Sequence, residues 1–193
     1  MWSDNRKSIL LVGAVLFSVA LLISGCSRRG GDGSDDNESR VWGLRITSIE
    51  SMTGMTYVEC NVHADNLGTN DGAVVYVVNR YPDYWSTSDD DIDPSYNVVI
   101  LRSKVTLTIP GYTPFSFSEN IYLEVQASTS DTSTSVNVVV LPATLKSQIA
   151  TIVDAEGGMV EGTVEIRLEG DYGNGEEAYA TGKTQARITS SSA

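Results

Sequence analysis

The sequence alternates between apolar and polar residues with a period of two from Val41 onward, and this periodicity constrains the fold most. Successive side chains of a β-strand point to opposite faces, so an alternating segment can bury one face and expose the other. The clearest example is 161–169, in which Glu, Thr and Arg alternate with Gly, Val, Ile and Leu. The other alternating or apolar segments are 41–47, 58–64, 73–79, 98–109, 121–127, 136–141 and 178–188.

Seven or eight such segments at regular spacing, joined by turn-rich loops, predict an all-β fold and an immunoglobulin-like β-sandwich. A closed barrel is the alternative. The run 73–79 is apolar on both faces, as expected of a central strand. The inner face of 98–109 is predicted to hold Val99, Leu101, Val105, Leu107 and Ile109.

Two local patterns complete the predicted sandwich domain, 41–193. The last two alternating segments flank the turn-forming residues 170–175, which predicts a terminal hairpin. Only 142–155 departs from the period of two, with Pro142 placed to start a helix and two glycines, 157–158, placed to stop it. One short helix is therefore expected there. Its apolar residues at helical spacing are Leu145, Ile149, Ile152 and Val153.

The N-terminus carries an apolar run that follows a short basic segment. Arg6 and Lys7 precede 9–23, which is apolar apart from Ser18 and contains one glycine. A membrane-spanning helix needs about 20 apolar residues, and this run is shorter. A basic start, a short apolar run and small residues before a cleavage point are typical of a secretory signal, here 1–25.

The residues Ile23-Ser24-Gly25-Cys26 resemble the lipobox of bacterial lipoproteins. The resemblance implies cleavage before Cys26, a diacylglycerol thioether on its sulfur and an acyl group on its new amino terminus. Several acyl chains, each contributing about 0.8 kcal/mol per buried methylene, would hold the protein firmly at a membrane. The alternative is an ordinary signal with a chance cysteine.

The residues after Cys26 bear on where the protein is held. Ser27 stands where an Asp would retain a Gram-negative lipoprotein at the inner membrane, so the resemblance implies the outer membrane, on its periplasmic or surface face. In another cell type it implies the outer leaflet of the cytoplasmic membrane. The segment 27–40 has no aliphatic or aromatic residue, which predicts that 26–40 is a lipidated flexible tether.

Charge and cysteine content exclude several classes of ligand. Two of the 13 basic and one of the 25 acidic residues lie in 1–25, so the remaining 168 residues carry a net charge of −13. Such a surface repels nucleic acid and anionic head groups, and suits cationic partners or divalent ions. With Cys26 lipidated, Cys60 has no disulfide partner, and its position among Val58, Val62 and Ala64 predicts a core residue.

Little in the sequence suggests catalysis. His63 is the only histidine, and its place in an alternating segment predicts an ordinary strand residue. The sequence contains no G-x-S-x-G, H-E-x-x-H, C-x-x-C or P-loop motif. A hydrolase could use two carboxylates about 5–9.5 Å apart, but with so many acidic residues such a pair arises by chance. The sequence thus predicts a non-enzymatic protein, with a carboxylate-based hydrolase as the rival.

An acidic stretch is the first of two candidate sites. Asp89, Asp91 and Asp93 have the spacing with which carboxylates enter a Ca²⁺ shell. An EF-hand loop would need Gly at Pro94 and Glu at Ile100, and both are missing. A calcium site of another geometry is one interpretation, and a solvated acidic loop is the other. No other cofactor is predicted.

The second candidate site is aromatic. Tyr81, Tyr84, Trp85 and Tyr96 flank the acidic stretch. Exposed Tyr and Trp on loops supply binding area at a low entropic cost. The mixture with carboxylates would suit sugars, cationic peptides or a partner protein. The alternative is that these rings pack beneath a long loop.

A second resemblance concerns the domain. Tyr96-Asn97-Val98-Val99-Ile100-Leu101-Arg102, Pro114-Phe115-Ser116-Phe117 and the hairpin at 170–182 are similar to a group of uncharacterised immunoglobulin-like bacterial lipoproteins, over about 72–189. The resemblance implies a fold and a location, and no activity. The resulting hypothesis is a binding or assembly subunit with an envelope protein partner, held at the membrane by its lipid. A Ca²⁺-stabilised adhesin and a carbohydrate-binding module are the alternatives.

Overall fold

Two β-sheets account for most of the computed structural model, which describes residues 43–81 and 88–190. The predicted signal peptide, the lipidated Cys26, the tether and the aromatic residues Tyr84 and Trp85 lie outside these residues. The strands are β1 (Gly43–Ser51), β2 (Val58–Asn61), β3 (Asp71–Arg80), β4 (Val98–Thr108), β5 (Phe115–Val125), β6 (Ala127–Ser128), β7 (Thr134–Leu141), β8 (Met159–Tyr172) and β9 (Glu177–Thr189). One helix, α1 (Ala143–Ala155), connects β7 to β8.

The first sheet is built around β3. It pairs antiparallel with β1 on one side and with β7 on the other, and its last residues pair parallel with β6. The second sheet has the order β2-β9-β8-β4-β5, in which only β2 and β9 run parallel. The core between the sheets is made of buried residues from both, which confirms the predicted all-β sandwich.

Apolar alternation identified most of the core. Val75 and Val77 of β3 and Val164, Ile166 and Leu168 of β8 are fully buried. The central position predicted for 73–79 is confirmed, because both neighbours of β3 cover its edges. Cys60 is 2% exposed and free, as expected of a small core residue.

The predicted inner face of 98–109 is wrong in its first half. Val98 and Ile100 are buried, whereas Val99 is only partly buried and Leu101 is 45% exposed. The cause is a β-bulge: Ile100 pairs with Gly170 of β8, and Arg102 pairs with the very next residue, Glu169. The extra residue inverts the alternation, since a shift of one position moves every side chain to the other face. From Val105 onward the predicted face is confirmed.

The local predictions near the C-terminus are confirmed with small changes. Helix α1 begins one residue after Pro142 and buries Lys146, Ile149 and Val153. The terminal hairpin is formed by β8 and β9, but its strands extend beyond Gly170 and the turn lies at 173–176.

His63 does not lie in a strand. It caps the short 3-10 turn Ala64–Asn66, and its Nδ1 accepts a hydrogen bond from the Asp65 amide at 3.3 Å. The predicted strand position is therefore wrong, because β2 ends at Asn61 and the chain turns immediately afterwards. His63 is held within this turn by a local hydrogen bond.

Candidate functional site

Asp89 of the acidic stretch holds two chain segments together. Its Oδ1 accepts hydrogen bonds from the amide and the hydroxyl of Thr129, at 2.7 Å and 2.8 Å, and its Oδ2 accepts one from the Ser128 hydroxyl at 2.9 Å. These bonds, first that from the Thr129 amide, hold the pKa of Asp89 below its usual value. Asp89 thus fastens the acidic stretch to the end of β6 and to the residue that follows it.

Asp91 and Asp93 are directed elsewhere. Oδ1 of Asp93 accepts a hydrogen bond from the Ser95 amide at 2.9 Å and caps the 3-10 turn Pro94–Tyr96, while Asp91 is exposed. Within 43–81 and 88–190, no three His, Cys, Asp or Glu side chains are grouped so that they could hold a metal ion. The structure does not bring the three predicted carboxylates together.

The calcium site stays a prediction that thermal unfolding can test. If Asp89, Asp91 and Asp93 bind Ca²⁺, millimolar calcium raises the melting temperature, because a ligand that binds only the folded state stabilises it. The matched comparison is magnesium at equal concentration, with an Asp89→Asn, Asp91→Asn, Asp93→Asn variant. Equal melting temperatures with and without calcium would remove the site.

Tyr81 and Tyr96, two of the four residues of the predicted aromatic site, lie in contact. Their ring centroids are 5.0 Å apart at an interplanar angle of 69°, an edge-to-face arrangement. Both side chains are partly buried. The pair lies where the chain leaves β3 and where it re-enters β4. Tyr84 and Trp85 fall between them in sequence, outside the described residues, so their predicted binding role stays a prediction.

Two asparagines that sequence reasoning missed hold this end of the sandwich. Asn79 is 4% exposed, and its Nδ2 donates to the carbonyls of Tyr96 at 2.8 Å and Val125 at 3.4 Å. Oδ1 of Asn97 accepts from the Ala127 amide at 2.9 Å. The sequence could have indicated Asn79, because it ends the apolar run 73–79. A polar residue that is buried with such a run must find hydrogen-bond partners.

Asp131, in the loop between β6 and β7, forms ion pairs with one arginine on β1 and one on β3. Its Oδ1 lies 2.6 Å from Nη2 of Arg45 and 3.0 Å from Nη1 of Arg80. The hydrogen bond from Arg80, together with the charge of Arg45, holds the pKa of Asp131 below its usual value. All three side chains serve the fold at this surface.

The buried polar cluster of the molecule lies under α1, and the sequence did not predict it. Lys146 is fully buried, and its Nζ donates to the carbonyls of Asn61 and Asn66 and, at 2.8 Å, to Oδ1 of Asp71. All three donors of the ammonium group are therefore used. Because no atom of Lys146 reaches solvent, this ion pair holds α1 against the β2–β3 connection and offers nothing to a ligand.

Cys60 lies in the same region. Burial raises the pKa of its thiol to about 12, with the charge of Asp71 adding to the effect. A thiol with such a pKa is almost never ionised and is therefore a poor nucleophile. Its surroundings agree with the predicted core role.

The exposed cations of the described chain are concentrated on the outer face of the second sheet. Five of the eight Lys and Arg residues in 43–81 and 88–190 lie there, namely Arg102, Lys104, Arg167, Lys183 and Arg187. Three of them have acidic partners on β8. The pairs are Arg167 with Glu169 at 2.8 Å, Lys183 with Glu165 at 2.8 Å, and Arg187 with Glu161 at 3.9 Å.

Arg102 and Lys104 differ from those three. They make no ion pair or hydrogen bond with any side chain in the described ranges, and both are exposed. On the β5 side they lie opposite Asn120 and Ser118, which are uncharged. On the β8 side, Arg102 lies opposite Glu169, which already pairs with Arg167, and Lys104 lies opposite Arg167 itself. We call Arg102 and Lys104 the β4 cations.

Strand β5 forms a free edge of the second sheet. Among the described residues it pairs only with β4, and that pairing is interrupted once, between Asn120 and Leu123. Its outward residues are exposed, and Tyr122 is 74% exposed. Its inward residues are only partly buried except for Val125, which is 1% exposed; the partly buried ones are Phe115, Phe117, Glu119, Ile121 and Leu123. This edge therefore presents unpaired backbone groups beside an incompletely covered apolar row.

No helix among the described residues is long and apolar enough to cross a membrane. No family model matches the chain, and no curated protein matches it.

Solved structures with a similar course of the chain exist, at low identity. One is a protein from Archaeoglobus fulgidus, with a TM-score of 0.45 and 14% identity, covering 77% of this chain and 99% of that one. Another is described as a late embryogenesis abundant (LEA) protein, with a TM-score of 0.47 and 13% identity, covering 97% of this chain and 90% of that one. A third, from Arabidopsis thaliana, has a TM-score of 0.37 and 12% identity, covering 87% and 93%. At these TM-scores the likeness establishes neither a family nor a function.

Proposed function

We propose that this chain is a lipid-anchored, non-enzymatic binding or assembly subunit of the cell envelope. In this proposal it holds a partner polypeptide by strand addition along the free edge of β5. The lipid on Cys26 keeps the immunoglobulin-like domain at the membrane, and β5 makes the specific contact. The observation that carries the proposal is the single-sided pairing of β5.

A free strand edge is a template for another strand. Eleven residues at about 3.4 Å each span roughly 37 Å, along which every second residue presents its N–H and C=O away from β4. In strand addition the main-chain hydrogen bonds supply affinity, and the alternating side chains supply specificity. A sheet edge of this length offers a row of unpaired N–H and C=O groups with which a further strand can pair.

The inward row of β5 gives the added strand something to cover. Phe117, Ile121 and Leu123 pack on the core but keep part of their surface exposed. An added strand with apolar residues on its inner face would remove that surface from water, at about 25 cal/mol for each Å² covered. This gain is available only on the inner face of the sheet, so the partner strand must turn its apolar face inward.

Two features of β5 oppose indiscriminate pairing. Glu119 points inward within the apolar row, and the pairing of β4 with β5 is irregular between Ile100 and Arg102. An inward charge and a bulge are the devices by which edge strands avoid aggregation. They suit an edge reserved for one kind of partner.

Anchoring supports a binding role by confining the domain. With the tether predicted for 27–40, a flexible chain of 14 residues would give a root-mean-square span of about 20 Å. The domain would then meet envelope partners in a thin layer, at a high effective concentration. A modest affinity at β5 suffices under those conditions.

Photocrosslinking in the native membrane tests the proposal. A photoreactive residue is placed at Ser118 or Asn120 on β5, or as a control at Gln185, which is exposed on β9. The proposal expects a discrete adduct from both β5 positions and none from Gln185. Identical adducts from all three positions, or none from β5, would contradict it. The melting temperature of each variant confirms that the fold is intact.

A further inference from the structure

The chemistry of the partner can be inferred from the two faces of β5, on the assumption that the proposed strand addition is correct. On the outer face, the β4 cations have no acidic partner among the described side chains, whereas the three other cations of that face each pair with a Glu on β8. On the β5 side of the β4 cations, Ser118 and Asn120 carry no compensating charge. An unmatched cation beside a free edge favours an anion on the strand that is added there.

The distances permit such a contact. Neighbouring strands lie about 4.8 Å apart, so an added strand lies roughly 10 Å from β4. The Lys104 and Arg102 side chains, with a Glu or Asp extending toward them, can bridge that separation above the short Ser118 and Asn120 side chains. Longer residues on β5 would block the approach.

The inner face makes a second demand. An added strand places apolar residues opposite Phe117, Ile121 and Leu123, but one polar or cationic residue opposite Glu119. A carboxylate that faces an apolar neighbour at this depth would lose hydration without compensation. The added strand is therefore expected to carry an apolar residue opposite Phe117, a polar one opposite Glu119, and apolar ones opposite Ile121 and Leu123.

We propose that the segment bound at β5 is an amphipathic extended peptide with carboxylates on its outer face, beside Arg102 and Lys104, and mainly apolar residues on its inner face. Strand β5 of a second copy of this chain does not fit that description. The outer face of its own β5 carries Ser116, Ser118, Asn120, Tyr122 and Glu124, with one carboxylate at the end of the strand. The occupant proposed is therefore a separate acidic polypeptide and not a symmetric β5–β5 pairing of two copies.

Synthetic peptides test this proposal on the full-length chain purified in detergent. Three labelled nine-residue peptides share one inner row of Val, Thr, Val and Val, and they differ in the five alternating residues of the outer row, which are all Glu, all Ser or all Lys. Fluorescence anisotropy gives each Kd at about 0.15 M salt, where distant carboxylates of the protein are screened beyond roughly 8 Å. The Glu peptide is expected to bind three- to tenfold more tightly than the Ser peptide, as two exposed ion pairs allow, and the Lys peptide more weakly than both.

Variants separate the two levels of the proposal. Arg102→Ser with Lys104→Ser should make the Glu and Ser peptides bind equally, while Lys183→Ser, on β9 and paired with Glu165, should leave the preference unchanged. A Ser peptide that equals the Glu peptide on the unaltered protein, with both weakened by backbone N-methylation, would overturn the acidic partner and leave strand addition standing. Absence of binding by all three peptides, or binding that N-methylation does not weaken, would overturn both.

Discussion

Lys146 shows how far a single residue can depart from what its neighbours in sequence suggest. In the helical pattern of 142–155 it occupies a polar position, and a lysine is expected to reach solvent. The structure buries it completely because Asp71, 75 positions earlier in the chain, and two carbonyl groups satisfy its ammonium group. Local periodicity contains no information about such a distant partner, so this cluster could not be predicted from the sequence.

Replacing Lys146 by Met is expected to destabilise the fold strongly. It leaves the Asp71 carboxylate, 16% exposed, without its counter-ion, and a broken buried pair costs about 3–5 kcal/mol. Urea unfolding gives the change in the free energy of unfolding. The added change Asp71→Asn should recover part of the loss, since it removes the unpaired charge. Lys183→Met, at an exposed pair, should cost at most about 1 kcal/mol, and an equal loss in both variants would contradict the role of Lys146.

Asp89 should make the fold sensitive to acid. Its pKa in the folded chain lies below the usual value of 3.8, so its hydrogen bonds to Ser128 and Thr129 stabilise the fold fully above that value. The stabilisation is lost as the pH falls through the lowered pKa of the folded state. Asp89→Asn should therefore be less stable than the natural chain at neutral pH, with a gap that narrows below about pH 4. Urea midpoints across this pH range measure the gap.

The control for Asp89 lies two residues away. Asp91 is exposed and makes no hydrogen bond or ion pair with the described side chains. Asp91→Asn should leave the urea midpoint almost unchanged at every pH. If the difference in urea midpoint between the natural chain and Asp89→Asn stays constant with pH, the charge of the Asp89 carboxylate does not contribute to stability.

Among the elements, β4 shows what alternation predicts and what it misses. The pattern identified 98–109 as a strand and placed Val105, Leu107 and Ile109 correctly. It assigned Val99 and Leu101 to the wrong face, because the chain inserts one residue between Ile100 and Arg102. A bulge depends on the partner strand, here on Gly170 of β8, and the hydrophobic pattern of one strand does not reveal it.

Gly170→Ala is expected to disrupt this bulge. A Cβ atom at residue 170 would lie 2.1 Å from the carbonyl oxygen of Val99 and 2.7 Å from Cα of Ile100, so the backbone of β4 must move. Overpacking of this kind typically costs about 1–3 kcal/mol. Gly68→Ala is the matched control, because a Cβ atom there meets nothing within 4 Å, and its effect should stay within about 0.5 kcal/mol. Equal free energies of unfolding for the two variants would contradict a close approach at Gly170.

At the scale of the whole molecule, the sequence predicted the architecture better than the surface. The two-layered sandwich, the terminal hairpin and the single described helix follow from periodicity and turn residues, since these signals are local. The candidate sites depended on which loops meet. The structure joined Tyr81 with Tyr96, but turned Asp89 toward Thr129 and Asp93 toward Ser95. The free edge of β5 results from the strand order of the second sheet, which the pattern of a single segment does not predict.

The proposed function also depends on a feature outside the sandwich, the cysteine at position 26. If the domain works as a tethered binding subunit, its location is set by lipid on Cys26 and its specificity by β5, and the two should be separable. Cys26→Ala should abolish labelling by a radioactive fatty acid and leave an uncleaved precursor on a denaturing gel. Peptide binding at β5 should be unchanged in the same variant, because residues 43–190 contain the strand and the core that supports it. Lipid labelling that survives the substitution would show that the chain is not anchored through Cys26. Membrane anchoring of the variant would then have to occur through another residue. Loss of peptide binding with the fold intact would place part of the binding site near the N-terminus.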